Sequence, residues 1–218
     1  MQNSTADKST AANGNVLILN GSPHARGTTA RALEEVKASL KNEGICAEII
    51  QVGHLATRGC TACGACRKLG KCAIDDIVNE LAPKFESADG LIIASPVYYA
   101  SPNGGFLALL DRLFYSTGYD KTMKVGASIV AARRGGCTAS FDVLNKYFTI
   151  SGMPIVSSYY WNQIHGSGYE QACEDLEGLQ TMSALGKNMA FLIKAIKLAK
   201  EQFHCPERPE KVYTNFIR

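Results

Sequence analysis

The chain reads as one three-layer α/β domain, a five-stranded parallel sheet with helices on both faces. Three observations predict it. Strand-like apolar runs alternate with helical patterns from end to end. The connections between successive strands are long enough to hold a helix, which parallel neighbours require. The runs at 16–20, 91–94 and 125–132 are apolar almost without a break, as in strands covered on both faces. A length of 218 residues suits one such domain with a sizeable core and is short for two.

Taken in order, residues 1–14 form a flexible polar tail, and 13 of them, Met1 to Asn13, lack the apolar stretch of a secretory signal. The domain is expected over 15–205. Val16–Asn20 is the first strand, followed by a Gly-Ser-Pro turn at 21–23. Ala32, Val36 and Leu40 fall at helical spacing within a helix over 28–42. Ala47–Val52 is the second strand. A cysteine-rich loop, 59–73, leads to a helix near 75–88, whose start Asp75 and Asp76 favour through the helix dipole. Leu91–Ala94 is the third strand and 103–115 the next helix. Val125–Ala132 is the fourth strand, 138–150 a helix, 154–160 the fifth strand and 179–203 a long closing helix. Residues 206–218 form a C-terminal tail.

Composition narrows the function. Hydrophobic residues make up 46% and charged residues 20%, and no apolar run reaches the roughly 18 residues that cross a bilayer. This predicts a cytoplasmic protein without a membrane segment. The net charge is +3, with basic residues scattered among acidic ones, so no stripe for nucleic acid is expected.

In open α/β sheets ligands gather outside the carboxyl ends of the strands. The loops expected there follow strands one, three and four. In the first, Asn20 to Thr29, a strand-to-helix turn aims free backbone N–H groups and the positive helix end at one point, a ready anion site. Ser22, Thr28 and Thr29 add hydroxyls, Arg26 adds charge, His24 stands beside them and Gly27 permits close approach. The alternative is a plain tight turn with Thr28 as the helix cap. Neither a G-x-x-x-x-G-K-[ST] loop nor a G-x-G-x-x-G fingerprint is present, which argues against a nucleoside triphosphatase and a Rossmann dinucleotide site.

Gly21-Ser22-Pro23 with Thr28-Thr29, followed by Ser95-Pro96-Val97-Tyr98-Tyr99 and Leu109-Leu110-Asp111-Arg112, resembles the NADPH-dependent FMN reductase family over about 16–200. The resemblance implies a flavodoxin-like sandwich of strand order 2-1-3-4-5. It also implies FMN, with its phosphate on the first loop and its isoalloxazine against Pro96, Val97, Tyr98, Tyr99, Ser101, Asn103 and Gly104. Thr28 and His24 depart from residues frequent in the family's first loop. In the third loop Arg133 and Arg134 supply positive charge and Gly135 and Gly136 backbone amides, the groups that favour reduced flavin near N1. Asp111 and Arg112 read as ion partners on a helix surface. A homodimer or homotetramer is implied as well.

Cys60-x2-Cys63-x2-Cys66-x5-Cys72 is the sharpest motif, with Gly59, Gly64 and Gly70 giving the loop freedom. Four thiolates on one short loop are the ligand set of a [4Fe–4S] cluster. Zinc, which prefers two separated pairs, a redox-active C-x-x-C dithiol and four free thiols stay open as alternatives. The spacing and its place after the second strand resemble the iron–sulfur flavoproteins, which implies those four cysteines as cluster ligands.

The function expected is therefore FMN-dependent oxidation of NAD(P)H, with electrons passed to a flavin, quinone, nitro or azo compound. No side chain is expected to act as acid or base. The alternatives are an electron carrier fed by a ferredoxin-like partner through the cluster, and a redox-sensing flavoprotein.

Overall fold

The computed structural model describes residues 13–207 together with 210, 212 and 214. Residues 1–12 of the expected N-terminal tail, and most of the expected C-terminal one, lie outside the described residues.

The chain runs β1 (Asn15–Asn20), α1 (Thr28–Asn42), β2 (Cys46–Gln51), α2 (Cys66–Leu69), α3 (Ile77–Ser87), β3 (Gly90–Tyr98), β4 (Ser101–Pro102) and α4 (Gly104–Ser116). It continues through β5 (Val125–Ala132), α5 (Cys137–Ile150), β6 (Gln163–His165), α6 (Tyr169–Ala172) and α7 (Leu176–Phe203). The parallel strands lie in the order β2-β1-β3-β5-β6. Apart from the short β4, which pairs antiparallel with β3, this is the expected 2-1-3-4-5 arrangement.

The apolar runs are continuous because each strand faces two cores. Val16 and Ile18 of β1 pack with α1 and α7 through Leu33, Val36, Leu185 and Met189. Leu17 and Leu19 point the other way, to Leu81 and Phe85 of α3, Leu109 and Leu113 of α4 and Phe148 of α5. A pleated strand sends successive side chains to opposite faces, so both registers must be apolar in a three-layer sandwich. Asp76 caps α3 by accepting from the Val78 amide at 3.1 Å.

The fifth parallel strand differs from expectation. Residues 154–160 meet the sheet only where Ile155 bridges Gly126; the Gly126 amide donates to the Pro154 carbonyl and the Val156 amide to that of Gly126. The chain then leaves the sheet through an exposed turn, in which the Ser158 hydroxyl donates to the Tyr160 carbonyl at 2.7 Å, and rejoins it at Gln163. The stretch with the stronger strand composition, 154–160, is not the one that pairs with the end of β5; Gln163–His165 is.

Candidate functional site

A cavity of about 430 Å³ opens at the carboxyl end of the sheet, above the point where the chain order reverses between β1 and β3. Its first wall is Ser22, His24, Arg26, Gly27, Thr28 and Thr29. Gly27, not Thr28, is the N-cap of α1: it is extended (φ −144°), and neither a side-chain cap nor an acidic residue in the first turn occupies the helix end. The first-turn N–H groups thus face the cavity without intrahelical partners. Thr28 has another task. Its hydroxyl lies 3.0 Å from the Gly166 carbonyl and 3.2 Å from that of Gly168, tying the β6–α6 loop to this wall.

Three contacts hold the loop's entry. The Ser22 amide donates to Asn20 Oδ1, the Gln51 side-chain amide donates to the Ser22 carbonyl, and Asn103 Nδ2 donates to the Gly21 carbonyl at 2.9 Å. Gly53 makes this approach feasible: a Cβ there would stand 2.2 Å from the Gly21 carbonyl. Arg26 is drawn to the rim, where it pairs with Glu170 at 3.3 Å and lies over the Tyr169 ring.

The second wall is Pro96, Val97 and Tyr98, where β3 turns into β4. Tyr98 pairs with Ser101, so Tyr99 and Ala100 form a two-residue turn, both left-handed at φ +51° and +57°. Tyr99 projects into solvent and does not line the cavity. Asn103 and Gly104 do not line it either; Asn103 caps α4 by accepting from the Gly105 amide. Ser101, paired with Tyr98, also lies off the lining.

The third wall is Ala131, Ala132 and Arg133. Arg134 and Gly135 are exposed beyond the lining. Gly136, at φ +94°, caps α5 and packs the third loop on the second: a Cβ there would stand 2.8 Å from Val97 and 2.9 Å from Ala100. Sequence reasoning missed the fourth wall, Gly166, Ser167 and Gly168. With the last strand placed at 154–160, the Gly-Ser-Gly turn lost its meaning as a loop at a strand's carboxyl end.

The cysteine loop forms a second, separate recess of about 20 Å³, lined by Cys60, Cys63, Cys66 and Cys72 with Arg112, Tyr115 and Ser116. Cys60 and Cys63 are exposed; Cys66 and Cys72 are partly buried. Hydrogen bonds from the Ala65 backbone and the Thr61 side chain hold the Cys63 thiol below its ordinary pKa. Asn79 clamps Cys72 by accepting from its amide and donating to its carbonyl, at 3.0 and 3.1 Å. Among the described residues no three Cys, His, Asp or Glu side chains converge as a site for a metal ion.

Arg112 corrects the sequence reading. It is not on a helix surface but 1% exposed, and its guanidinium reaches both oxygens of Asp76, at 2.6 and 2.9 Å. Burial opposes the charge on Asp76, but the bonds from Arg112 and the Val78 amide outweigh it and lower the carboxyl's pKa. Asp111, on the exposed side of the helix, accepts from the Tyr147 hydroxyl instead.

Comparison with known proteins places this geometry. The family model described as NADPH-dependent FMN reductase matches residues 15–166. An iron-sulfur flavoprotein of Methanocaldococcus jannaschii is 31% identical over 190 residues, covering 84% of this chain and 98% of that protein. An iron-sulfur flavoprotein of Methanosarcina thermophila is 28% identical, over 84% of this chain and 97% of its own. Among solved structures, a flavodoxin from the domain Archaea superposes with a TM-score of 0.56 at 14% identity, over 83% of this chain and 99% of that one. At that identity the likeness shows the flavodoxin-like fold.

Proposed function

Since the chain belongs to the NADPH-dependent FMN reductase family and is with it an FMN-dependent oxidoreductase, we propose that FMN sits in the carboxyl-end cavity and takes electrons from NAD(P)H for a small acceptor such as a flavin or quinone. One observation carries the placement: an uncapped helix N-terminus with no acidic residue in its first turn opens on a cavity bounded by four carboxyl-end loops. The α1 amides, Ser22 and Thr29 bind the phosphate. Tyr98 and Val97 form the face against the ring, and Arg133 brings positive charge to its edge. The Gly136 contact sets the spacing between the second and third loops. Bound FMN supplies the redox chemistry, and the chain supplies position and electrostatics. No acid or base among its residues is required.

The test is FMN titration of apoprotein. Replacing Ser22 and Thr29 together by Ala removes two donors to a charged group, each worth about 1.5–3 kcal/mol, so affinity falls at least about a hundredfold. Unchanged affinity contradicts the placement. Oxidation of NADPH by the flavin-loaded wild type, followed at 340 nm, tests the electron donor, and no turnover with either nicotinamide removes it.

The cysteine recess supports a second reading, a [4Fe–4S] centre on Cys60, Cys63, Cys66 and Cys72 that exchanges electrons with the flavin and with a ferredoxin-like partner. Two features fit such a group: four thiols on one loop around a common recess, and the Ser116 hydroxyl, buried there without a partner. The recess has room for about one water, so loading requires the exposed Cys60–Cys63 arm to move outward. Anaerobically purified protein should contain iron and sulfide near four each per chain. FMN without iron returns the function to the flavin reductase alone.

A further inference from the structure

The flavin site makes no use of the most thoroughly buried cation of the described chain. Arg112 projects from α4 into the cysteine loop and donates from Nε and Nη2 to Cys72 Sγ, at 3.3 Å each. The same guanidinium donates to the Arg58 carbonyl, before the first cysteine, and to the Ile74 carbonyl, after the last, both at 3.1 Å. Asp76 completes the set and balances the charge. One planar fork therefore closes a loop of more than a dozen residues at both ends and touches the fourth thiol. Cys72 is also the cysteine set apart by the longest gap, with five residues between it and Cys66, so it depends most on being placed from outside the loop.

Ser116 stands one turn further along the same helix. It lines the same recess, is 6% exposed, and its Oγ has no hydrogen-bond partner among the described residues. Buried hydroxyls are nearly always paired, so an orphan that lines one recess with four thiols marks a place where an acceptor belongs. A sulfur-bearing group bound by those thiols is such an acceptor.

We propose that Arg112 is the positioning residue of the cysteine site, fixing Cys72 and both ends of the loop, and that the Ser116 hydroxyl is a second donor to the sulfur of the group bound there. The proposal rests on the reading of the recess as a metal–sulfur site. Donors to the sulfurs stabilise the more negatively charged reduced form and so raise the reduction potential. The two residues differ in their work. Arg112 governs whether the site fills and, as a donor to Cys72 Sγ, also acts on its potential, whereas Ser116 acts on the potential of the filled site alone.

Three full-length variants test this, each reconstituted anaerobically with iron and sulfide: Arg112→Gln, Arg112→Lys and Ser116→Ala. FMN content serves as the fold control. Arg112→Gln should lose at least half its iron and sulfide while keeping its FMN. Arg112→Lys, which keeps the charge but not the fork, should recover part of the loss. Ser116→Ala should keep full iron and show a more negative midpoint in spectroelectrochemistry, a readout that a merely structural serine would not move. In the iron-free protein, hydrogen–deuterium exchange in the peptide spanning 58–76 should quicken at least tenfold in Arg112→Gln, with the peptide over 28–42 unchanged. Full iron in Arg112→Gln overturns the role of Arg112, and a wild-type midpoint in loaded Ser116→Ala overturns that of Ser116. If the wild type itself takes up no iron, the cluster reading and the Ser116 role both fall. The positioning role of Arg112 is then decided by exchange alone: tenfold faster keeps it, and an unchanged rate overturns it.

Discussion

The two recesses of this molecule are built by opposite means. The carboxyl-end cavity is shaped by backbone: an uncapped helix end, glycines at close crossings and carbonyls bound by Thr28. The first amides of α1 are free before any ligand arrives, because helix geometry leaves them without intrahelical partners, and this is what the proposed phosphate site uses. The cysteine recess is shaped by side chains. Arg112, Asp76 and Asn79 hold a loop that has one short helix and three left-handed residues, Ala62, Gly64 and Gly70. A backbone-built site tolerates change at side chains that do not touch the ligand, whereas a side-chain site hangs on a few groups.

That contrast can be broken most forcefully at Asp76. Asp76→Asn leaves the buried Arg112 charge without its counter-ion. Losing one partner of a buried pair costs about 3–5 kcal/mol, reduced here to about 2–3 because Asp76 is partly exposed. Denaturant midpoints should register the loss, with FMN affinity of the still-folded protein unchanged. The pair also carries a pH signature. The Asp76 pKa is lowered on folding, so its contribution is complete above the ordinary carboxylate range and is lost as pH falls through the lower folded value. Asp76→Asn should flatten stability against pH in that acid range and nowhere else. Equal acid sensitivity in both proteins would remove the pair from the account.

Gly53→Ala probes the backbone-built site in the same way. The added methyl would overlap the Gly21 carbonyl, an overpacking cost of about 1–3 kcal/mol, and it displaces the loop proposed to hold the phosphate. FMN affinity should fall at least tenfold while iron content stays at the wild-type level. A mutant with weakened iron and intact flavin would reverse the assignment of the two sites.

The smallest effect belongs to the β3–β4 turn. Tyr99 and Ala100 are left-handed residues in a turn that favours Asn-Gly, so replacing the pair by Asn-Gly should stabilise the protein by about 1 kcal/mol. FMN affinity should not change, since Tyr99 lies outside the cavity. Tyr98→Ala should weaken it. If the Asn-Gly variant loses flavin as readily as Tyr98→Ala, the ring contact lies on the other tyrosine.

How much of this was legible in the sequence follows the same division. Strands β1, β3 and β5 declared themselves because two-sided burial demands unbroken apolar runs, and the first loop as a wall of the carboxyl-end cavity because it follows a strand directly. The choice between Tyr98 and Tyr99 depended on hairpin register, and that between Gly27 and Thr28 as cap on a backbone angle. Residues 154–160 carry the stronger strand signal, Ile, Val and two Tyr against the single Ile of 163–165, so the missed turn hid the Gly166–Gly168 wall. Arg112 was least legible. Its burial comes from a loop 40 residues earlier, and no periodicity within α4 encodes that cover.

The central claim, that the end of α1 is a phosphate site for FMN, is tested most directly by comparing two ligands on wild-type apoprotein. Riboflavin carries the same ring as FMN and lacks only the phosphate. If the helix end and loop hydroxyls hold that phosphate, calorimetric titration should give FMN at least about a hundredfold tighter than riboflavin, the worth of one or two hydrogen bonds to a charged group. Equal affinity for the two would contradict the account.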